Sequence, residues 1–126
     1  MTWDAGLAER MRDVLPRLAG GAALIREKNV FGGRGFLLGK SAFLIVWGPG
    51  VLVKCPSAEY NAALATRGVT PFAPMGGRAM GTWVVVTADE VADDPELLEW
   101  TERGLRGVRD VPDKPRKAPR PRGRSR

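Results

Sequence analysis

The sequence predicts an α+β fold, a two-layer sandwich in which helices at the N-terminus, in the middle and at the C-terminus cover an antiparallel meander sheet of about five strands. Two observations predict it. Between residues 24 and 54, short apolar or β-branched runs alternate with glycine-containing pairs at the spacing of hairpins, which is typical of antiparallel neighbours. Around this region lie stretches in which apolar residues recur with the period of a helix.

The predicted helices are marked by their ends as well as by their apolar spacing. Asp4 can cap the first helix, whose apolar positions run to Leu18 before a Gly-Gly pair stops it. The second helix covers residues 58–65. The third takes Asp94 as its cap. Its acids cluster at the start and its arginines at the end, which matches the direction of the helix dipole.

The strands are separated by glycine turns. We predict strands at residues 24–31, 34–38, 42–47, 51–54 and 82–86. Glycine accepts the positive φ that two-residue hairpin loops demand, so we place the turns at glycine-containing pairs. These turns are Gly32-Gly33, Gly39-Lys40 and Gly48-Pro49-Gly50. Residues 69–75 also have an extended pattern, but two prolines interrupt them, so they form either a sheet edge or an irregular loop.

Charge divides the chain into two parts. Residues 114–126 carry seven Lys or Arg and no acid, whereas residues 1–113 carry 13 basic and 14 acidic side chains, so the tail supplies the whole excess behind the net charge of +6. The tail has no large apolar residue, and ordering it would bring no burial to offset the lost entropy. We therefore predict one folded domain at residues 1–112 and a disordered, basic, proline-rich tail at residues 113–126.

The tail is the predicted site of contact with polyanions. Its cations could neutralise phosphates of DNA or RNA without reading the bases. The candidate nucleic-acid-binding residues are Lys114, Arg116, Lys117, Arg120, Arg122, Arg124 and Arg126. The alternative is a solubilising appendage with no partner of its own. Anionic lipid is disfavoured because no apolar anchor adjoins the charges.

Composition argues against several classes of protein. Histidine is absent and Cys55 is the single cysteine, which removes the usual ligands of a zinc or heme site. We therefore expect no metal and no cofactor. The sequence has no N-terminal signal pattern and no apolar run of membrane-spanning length, so we expect a cytoplasmic location and no membrane partner.

Two glycine-containing motifs, a tyrosine between them and a segment after the last predicted strand together have the pattern of a known family. The motifs are Val30-Phe31-Gly32-Gly33-Arg34-Gly35-Phe36-Leu37 and the run from Pro71-Phe72 through Met75-Gly76-Gly77-Arg78 to Trp83. With Tyr60 between them and residues 94–100 after the last strand, the chain resembles the N-terminal domain of the TfoX (Sxy) family of bacterial competence regulators, over residues 7–109. The residues that carry the resemblance are Phe31, Gly32, Gly33, Tyr60, Gly76, Gly77 and Trp83.

The resemblance implies an α+β domain with a curved antiparallel sheet, and it implies no catalytic residues. The better-known members of the family promote transcription of DNA-uptake genes together with a partner regulator, and in them a second, helical domain follows this one. Here the basic tail stands in that place, and Val30 stands where family members usually carry methionine. We therefore interpret the chain as a non-enzymatic regulatory or adaptor protein. Its domain binds a protein partner, and its tail adds nonspecific nucleic-acid contact.

Two alternative functions stay open. One is a small anion-binding protein or enzyme that uses Arg34, Arg78 and Cys55. The other is a structural domain that dimerises through an exposed sheet edge.

Each candidate site also has a structural interpretation. Arg34 and Arg78 adjoin Gly-Gly turns whose amides could form an anion nest, but such arginines also pair with nearby acids. Cys55 precedes a helix start whose free amides would lower its pKa, yet a cysteine at the end of an apolar strand is more often part of the core. The acids of residues 89–99 could suggest a metal site, but they suit the caps and dipoles of two helix starts. These are a brief helical turn that Thr87 begins, with capping-box spacing to Glu90, and the start of the third helix.

Overall fold

The computed structural model describes residues 3–18, 25–74 and 76–110. Within these ranges the helices are α1 (Ala5–Val14), α2 (Tyr60–Leu64) and α3 (Asp94–Asp110). The strands are β1 (Ile25–Val30), β2 (Gly33–Leu38), β3 (Ser41–Trp47), β4 (Gly50–Lys54), β5 (Val69–Pro71) and β6 (Trp83–Val86). The predicted α+β class is confirmed, with six strands in this part of the chain where about five were expected.

The strands of the described ranges form one sheet in the order β1-β2-β3-β4-β6-β5, and every neighbouring pair is antiparallel. The meander predicted for the first four strands is therefore confirmed. Strand β6 returns to pair with β4, which leaves β5 at the edge. An edge position suits β5 because its last residue, Pro71, has no N–H to donate to a further strand.

One face of the sheet is covered by α1 and α3. Their apolar residues, such as Met11 and Leu97, join the inward-facing residues of the central strands in the main core. Asp4 caps α1 as predicted, because its carboxylate accepts hydrogen bonds from the N–H groups of Gly6 and Leu7. None of the helices in the described ranges has both the length and the apolar composition needed to cross a bilayer.

Two glycines let α3 lie directly against the sheet. A Cβ atom at Gly104 would lie 2.5 Å from the carbonyl oxygen of Phe43, and a Cβ atom at Gly107 would overlap the carbonyl of Lys54. A larger residue at either position would have to push the helix away from a close-packed interior.

Two predicted helix starts differ in detail. The N–H of Leu97 donates to the carbonyl of Asp93, which makes Asp94 the first helical residue of α3 rather than its cap. Thr87 precedes a single 3-10 turn at Ala88–Val91, but its side chain makes no capping hydrogen bond there. Both differences concern only the first turn, and the elements themselves form where they were expected.

The turn between β1 and β2 corrects a prediction. Val30 pairs with Gly33, so the two loop residues are Phe31 and Gly32 rather than Gly32 and Gly33. Phe31 has a φ of +53° and Gly32 a φ of +79°, as a type I′ turn requires at both central positions. Gly33 instead belongs to β2, where a Cβ atom would overlap the carbonyl of Val46 on the neighbouring strand.

The sheet is curled away from the helices. The β2–β3 register shifts between Phe36 and Leu37, so Phe43 is an extra residue on β3 and joins the helix-side core. The rings of Phe31, in the β1–β2 turn, and Phe72, directly after β5, are 5.7 Å apart. In a flat sheet the backbones of β2 and β5 would lie four strand spacings, or about 19 Å, apart, and side chains that stand roughly perpendicular to the sheet would keep about that separation. The face opposite the helices is therefore concave.

Candidate functional site: an aromatic cleft on the concave face

The concave face carries a second, smaller apolar cluster. Its buried members are Ile45, Leu52, Phe72 and Trp83, and Val30, Ala42, Met80 and Val85 pack against them. The segment after β5 crosses this face. It is held there because the N–H of Phe72 donates to the carbonyl of Trp83, and the N–H of Met80 to the carbonyl of Phe72. Met75, within this segment, lies outside the described residues.

Three aromatic side chains meet at the edge of this cluster. The rings of Phe31 and Trp47 both stand edge-on against the buried ring of Phe72, with centroid distances of 5.7 and 5.6 Å. The indole N–H of Trp47 also donates to the carbonyl of Phe31 at 3.2 Å. Phe31 is nevertheless 52% exposed and Trp47 36% exposed, the highest values among the large apolar side chains that the structure describes. The two rings are fixed in position and remain open to solvent.

These rings border a cleft of about 420 Å³, a volume within the range of small-ligand and peptide-anchor pockets. The lining residues are Phe31, Trp47, Pro71, Phe72, Ala73, Pro74 and Val85. None of these side chains is ionisable, so the cleft offers neither a general acid or base nor a charged ligand. Its chemistry suits the binding of apolar, aromatic or proline-containing groups.

The glycines of β2 make room for this arrangement. A Cβ atom at Gly33 would lie 2.8 Å from Cγ2 of Ile45 and 3.3 Å from Cδ1 of Trp47. A Cβ atom at Gly35 would lie 2.8 Å from Cγ2 of Val30. The side chains of the concave face thus pack directly on the Gly-Arg-Gly backbone of the first motif. A larger residue at either glycine would collide with them.

Phe31 is held in an unfavourable backbone conformation. Its φ of +53° lies in the left-handed region, which costs a residue with a Cβ atom about 1–2 kcal/mol. Asn, Asp or Gly is the usual residue at this position of a type I′ turn. The strain offsets most of what the half-exposed ring contributes to stability through its contact with Phe72. Strained backbone and exposed aromatic side chains concentrate where a surface binds a partner or ligand.

Arg34, one of the predicted anion-binding residues, is engaged in an ion pair. Its Nε donates to Glu27 at 3.0 Å, and its Nη1 donates to the side-chain oxygen of Asn29 at 3.1 Å. Arg12 of α1 donates to both oxygens of the same Glu27, each at 2.8 Å. These bonds, that from Arg12 first, hold the pKa of Glu27 down at about 2, although burial opposes the shift. Arg34 therefore helps to tie the sheet to α1.

Arg78 lies far from this ion pair. It is exposed, in the segment that crosses the concave face, beside Pro74 and Met80. Arg34, in contrast, points to the helix side with its partner Glu27. The structure does not bring the two arginines together and gives no support to a paired anion site.

Cys55 is buried in the helix-side core. Burial raises the pKa of its thiol to about 11, because the thiolate would lose its hydration there. Desolvation thus outweighs the lowering that was expected from the amides of the following turn. The arrangement favours the interpretation of Cys55 as a core residue over that of a reactive thiol.

The arginines near the end of α3 are also engaged. Glu59 accepts hydrogen bonds from Nε of Arg103 at 3.0 Å and from Nη2 of Arg106 at 2.9 Å, and the bond from Arg106 is the main reason that its pKa is lowered. The guanidinium of Arg103 also lies over the ring of Trp100 at 4.5 Å. Tyr60, the next residue after this glutamate, packs against the helix-side core. These contacts hold the start of α2 against α3.

The predicted motif residues therefore divide between several roles. Phe31 lines the cleft, and Gly32 shares its turn. Gly33 packs beneath Ile45 and Trp47, and Trp83 belongs to the buried cluster of the concave face, whereas Tyr60 belongs to the helix side. Gly76 and Gly77 are exposed, and a Cβ atom at Gly77 would meet no atom within 4 Å.

The basic residues Lys114 to Arg126 lie outside the described residues, as does the predicted boundary at residue 112, so both stay predictions. In the ranges that the structure describes, no three Cys, Asp or Glu side chains come together as a metal site would need.

Of the three aromatic residues that line the cleft, Phe31 was a predicted site residue, whereas Trp47 and Phe72 were not. The sequence does contain part of the signal for a buried second face. The residues of β3 that point to either side of the sheet are apolar, which indicates that both faces of the sheet are covered. The contact between Trp47 and Phe72 depends on the curvature of the sheet. Hydrophobic periodicity predicts the face on which a side chain lies, but it does not predict that curvature.

The fold and the cleft define the class of this protein as an α+β domain with an open antiparallel sheet, helices on one face and a solvent-open apolar cleft on the other. The family model of the TfoX N-terminal domain matches residues 17–108, which is well over half of the 126 residues. The chain belongs to this family. The comparison with curated proteins found no match.

Proposed function

We propose that this protein is a non-enzymatic regulatory or adaptor protein that binds a protein partner through its aromatic cleft and contacts DNA or RNA, without sequence preference, through its basic tail. The observation that carries the proposal is the pair of exposed rings, Phe31 and Trp47, that pack edge-on against Phe72. The proposed location is the cytoplasm, which a chain with a single, buried cysteine suits.

The chemistry of the cleft supports binding over catalysis. Its lining is apolar and has no ionisable side chain that could move a proton. Trp is enriched among the residues that dominate the binding energy of protein interfaces, and Phe is enriched in their buried cores. Rings that already pack against a neighbour lose less entropy when a partner arrives. Membership of the TfoX family supports the same view, since that family suggests a regulatory or adaptor role and is not known as enzymatic.

The charge of the tail supports the nucleic-acid part of the proposal. Residues 114–126 carry seven cations and no acid, which forms an electrostatic footprint for phosphates, and the nearly neutral remainder of the chain adds little to it. Contacts of this kind go to phosphates and position a protein without specifying a sequence. The domain would then choose the protein partner while the tail holds the complex on nucleic acid.

The test is capture of a partner by a variant that keeps the turn but removes the ring. Phe31→Asn suits a type I′ turn, so the hairpin is retained while one wall of the cleft is lost. The matched control is Lys40→Asn, an exposed substitution in the next hairpin turn. We expect proteins captured from native lysate after nuclease treatment to bind the wild type and Lys40→Asn, but not Phe31→Asn. Equal capture by all three would refute the role of the cleft.

A further inference from the structure

We propose that the C-terminal segment of this chain, residues 119–126, docks into the aromatic cleft of the same molecule. Its prolines would lie against Phe31 and Trp47, and its arginines beside a group of acids, at the same end of the sheet, that form no ion pair within the described residues. The inference goes beyond the proposed function, because it concerns the chain with no partner present. The tail would then compete with the protein partner for the cleft.

The first argument is the chemistry of the cleft. Grooves walled by aromatic rings are the surfaces that receive proline-rich segments in an extended polyproline conformation. Proline brings no backbone N–H, so it leaves no unsatisfied donor against a lining that has no ionisable or carboxamide side chain to accept one. Four of the ten prolines of this chain follow the last helix, at positions 112, 115, 119 and 121.

The second argument is complementary charge. The segment between β6 and α3, together with the first turns of α3, carries acids that take part in no ion pair within the described residues. These acids are Asp89, Glu90, Asp93, Glu96 and Glu99. Their neighbour Asp94 is paired with Arg10. Residues 119–126 carry four arginines and no acid, so they can supply the positive charge that these carboxylates lack.

The acids and the rings lie at one end of the sheet. Trp47 is the last residue of β3, directly before the β3–β4 turn. A Cβ atom at Gly50, on the other side of that turn, would lie 3.3 Å from both the carbonyl carbon of Thr87 and the nitrogen of Ala88, where the acidic segment begins. A chain that reaches the turn can therefore contact the rings on one side of it and the carboxylates on the other.

The third argument is reach. Helix α3 runs from this end of the sheet to the other, since Gly107 packs on Lys54 at the far end of β4. Its 17 residues span about 25 Å, and crossing to the concave face adds about 10 Å. At about 3.1 Å per residue an extended chain covers that path in about 11 residues. If the extended chain starts at Asp110, residue 121, a proline, is the one that reaches the rings. We therefore assign the docked part to the residues around and after it, 119–126.

The first experiment uses NMR of the full chain. The indole N–H signal of Trp47 is assigned by its loss in Trp47→Phe. We expect Pro119→Ala/Pro121→Ala to shift that signal, because the prolines that cover the ring are gone. The matched control Pro112→Ala/Pro115→Ala changes residues that only span the distance, and it should leave the signal in place. The same signal in all chains, or equal shifts in both double variants, would overturn the proposal.

The second experiment locates the tail directly. The buried Cys55 is protected, so a nitroxide reagent added to Ser125→Cys labels residue 125 alone. We expect the label to broaden the indole signal of Trp47 and the amide of Phe31 more than the indole of Trp100, which is buried on the helix side. Broadening confined to the end of α3 would overturn the proposal. Broadening of unlabelled ¹⁵N chains mixed with labelled ones would overturn docking within one molecule in favour of docking between two.

Neither experiment includes nucleic acid or a protein partner, so failure here leaves the proposed function standing. Failure of the partner capture would in turn leave a docked tail standing.

Discussion

Replacement of Phe31 by Asn tests whether the exposed rings serve binding or stability. Asn in the left-handed region relieves most of a strain of about 1–2 kcal/mol. Against this gain stand the edge-on contact with Phe72, worth about 0.5–1.5 kcal/mol, and the burial of about half of the ring, worth about 1–1.5 kcal/mol. The terms nearly cancel, and we expect Phe31→Asn to cost about 1 kcal/mol or less.

The assay is equilibrium unfolding in urea at neutral pH, with Lys40→Asn as the control, which should stay within about 0.5 kcal/mol of the wild type. Phe72→Ala, at the buried centre of the same cluster, should cost about 3–4 kcal/mol. A loss of 3 kcal/mol or more for Phe31→Asn, on the scale of such core truncations, would refute the reasoning. It would make Phe31 a structural residue whose strain is compensated within the fold, and the exposed ring would then need no partner.

Four further predictions concern packing, pH, the thiol and the tail. Gly107→Ala should destabilise by about 2 kcal/mol or more, although Ala is the better helix former, because its Cβ atom meets a sheet carbonyl. Gly77→Ala, in open space, should be neutral in the same urea titration. The lowered pKa of Glu27 gives stability that is present above the unfolded-state pKa and is lost as pH falls from about 5 toward 2. The full shift corresponds to about 3 kcal/mol, which partial exposure of both arginine partners reduces to about 1–2 kcal/mol. Glu27→Gln should therefore flatten the acid limb of a pH series of unfolding free energies, and an unchanged limb would contradict the ion-pair account. Cys55 should resist alkylation in native protein at neutral pH and react only on unfolding, so fast labelling of the folded chain would contradict its burial. Duplex DNA binding by the full chain should have a logarithmic salt slope approaching about −6, and a version ending at Asp113 should lose nearly all of it; equal slopes would remove the tail from the interface.

The elements that depend on local pattern could be predicted from the sequence. Helix α1 follows from a capping aspartate and apolar residues at helical spacing, and α3 from an apolar stripe between acidic and basic ends. The first four strands follow from short apolar or β-branched runs and the turn glycines between them, because a two-residue hairpin fixes both its strands and their antiparallel pairing. In each case the residues that decide the structure are neighbours in the chain.

The position of the first turn could not be predicted in this way, because its cause is not local. Preference for glycine at positive φ places the turn at Gly32-Gly33, yet Gly33 is needed in the strand beneath Val46 and Trp47. Phe31 must then adopt the left-handed conformation. The cleft has the same kind of origin, since Phe31 and Phe72 meet only after four further strands have curled the sheet.

Burial of the tryptophans shows the same division. Trp83 and Trp100 are buried. Trp47 is not, because it stands at the end of β3, where the segment that covers the concave face leaves a gap. Strand alternation gives the face on which a side chain lies, but the cover over that face comes from residues far away in the chain.

The unequal size of the two apolar clusters explains why the concave face can carry strain. In the described part of the chain, twenty buried residues form the helix-side core and four form the concave-side cluster. Since burial of apolar area is the main stabilising term, most of the folding free energy comes from the helix side. A strained turn and two open rings then reduce stability without threatening the fold. Substitutions at Phe31 and Trp47 should therefore affect binding more than folding, whereas substitutions at Gly104 or Gly107, under α3, should affect folding first.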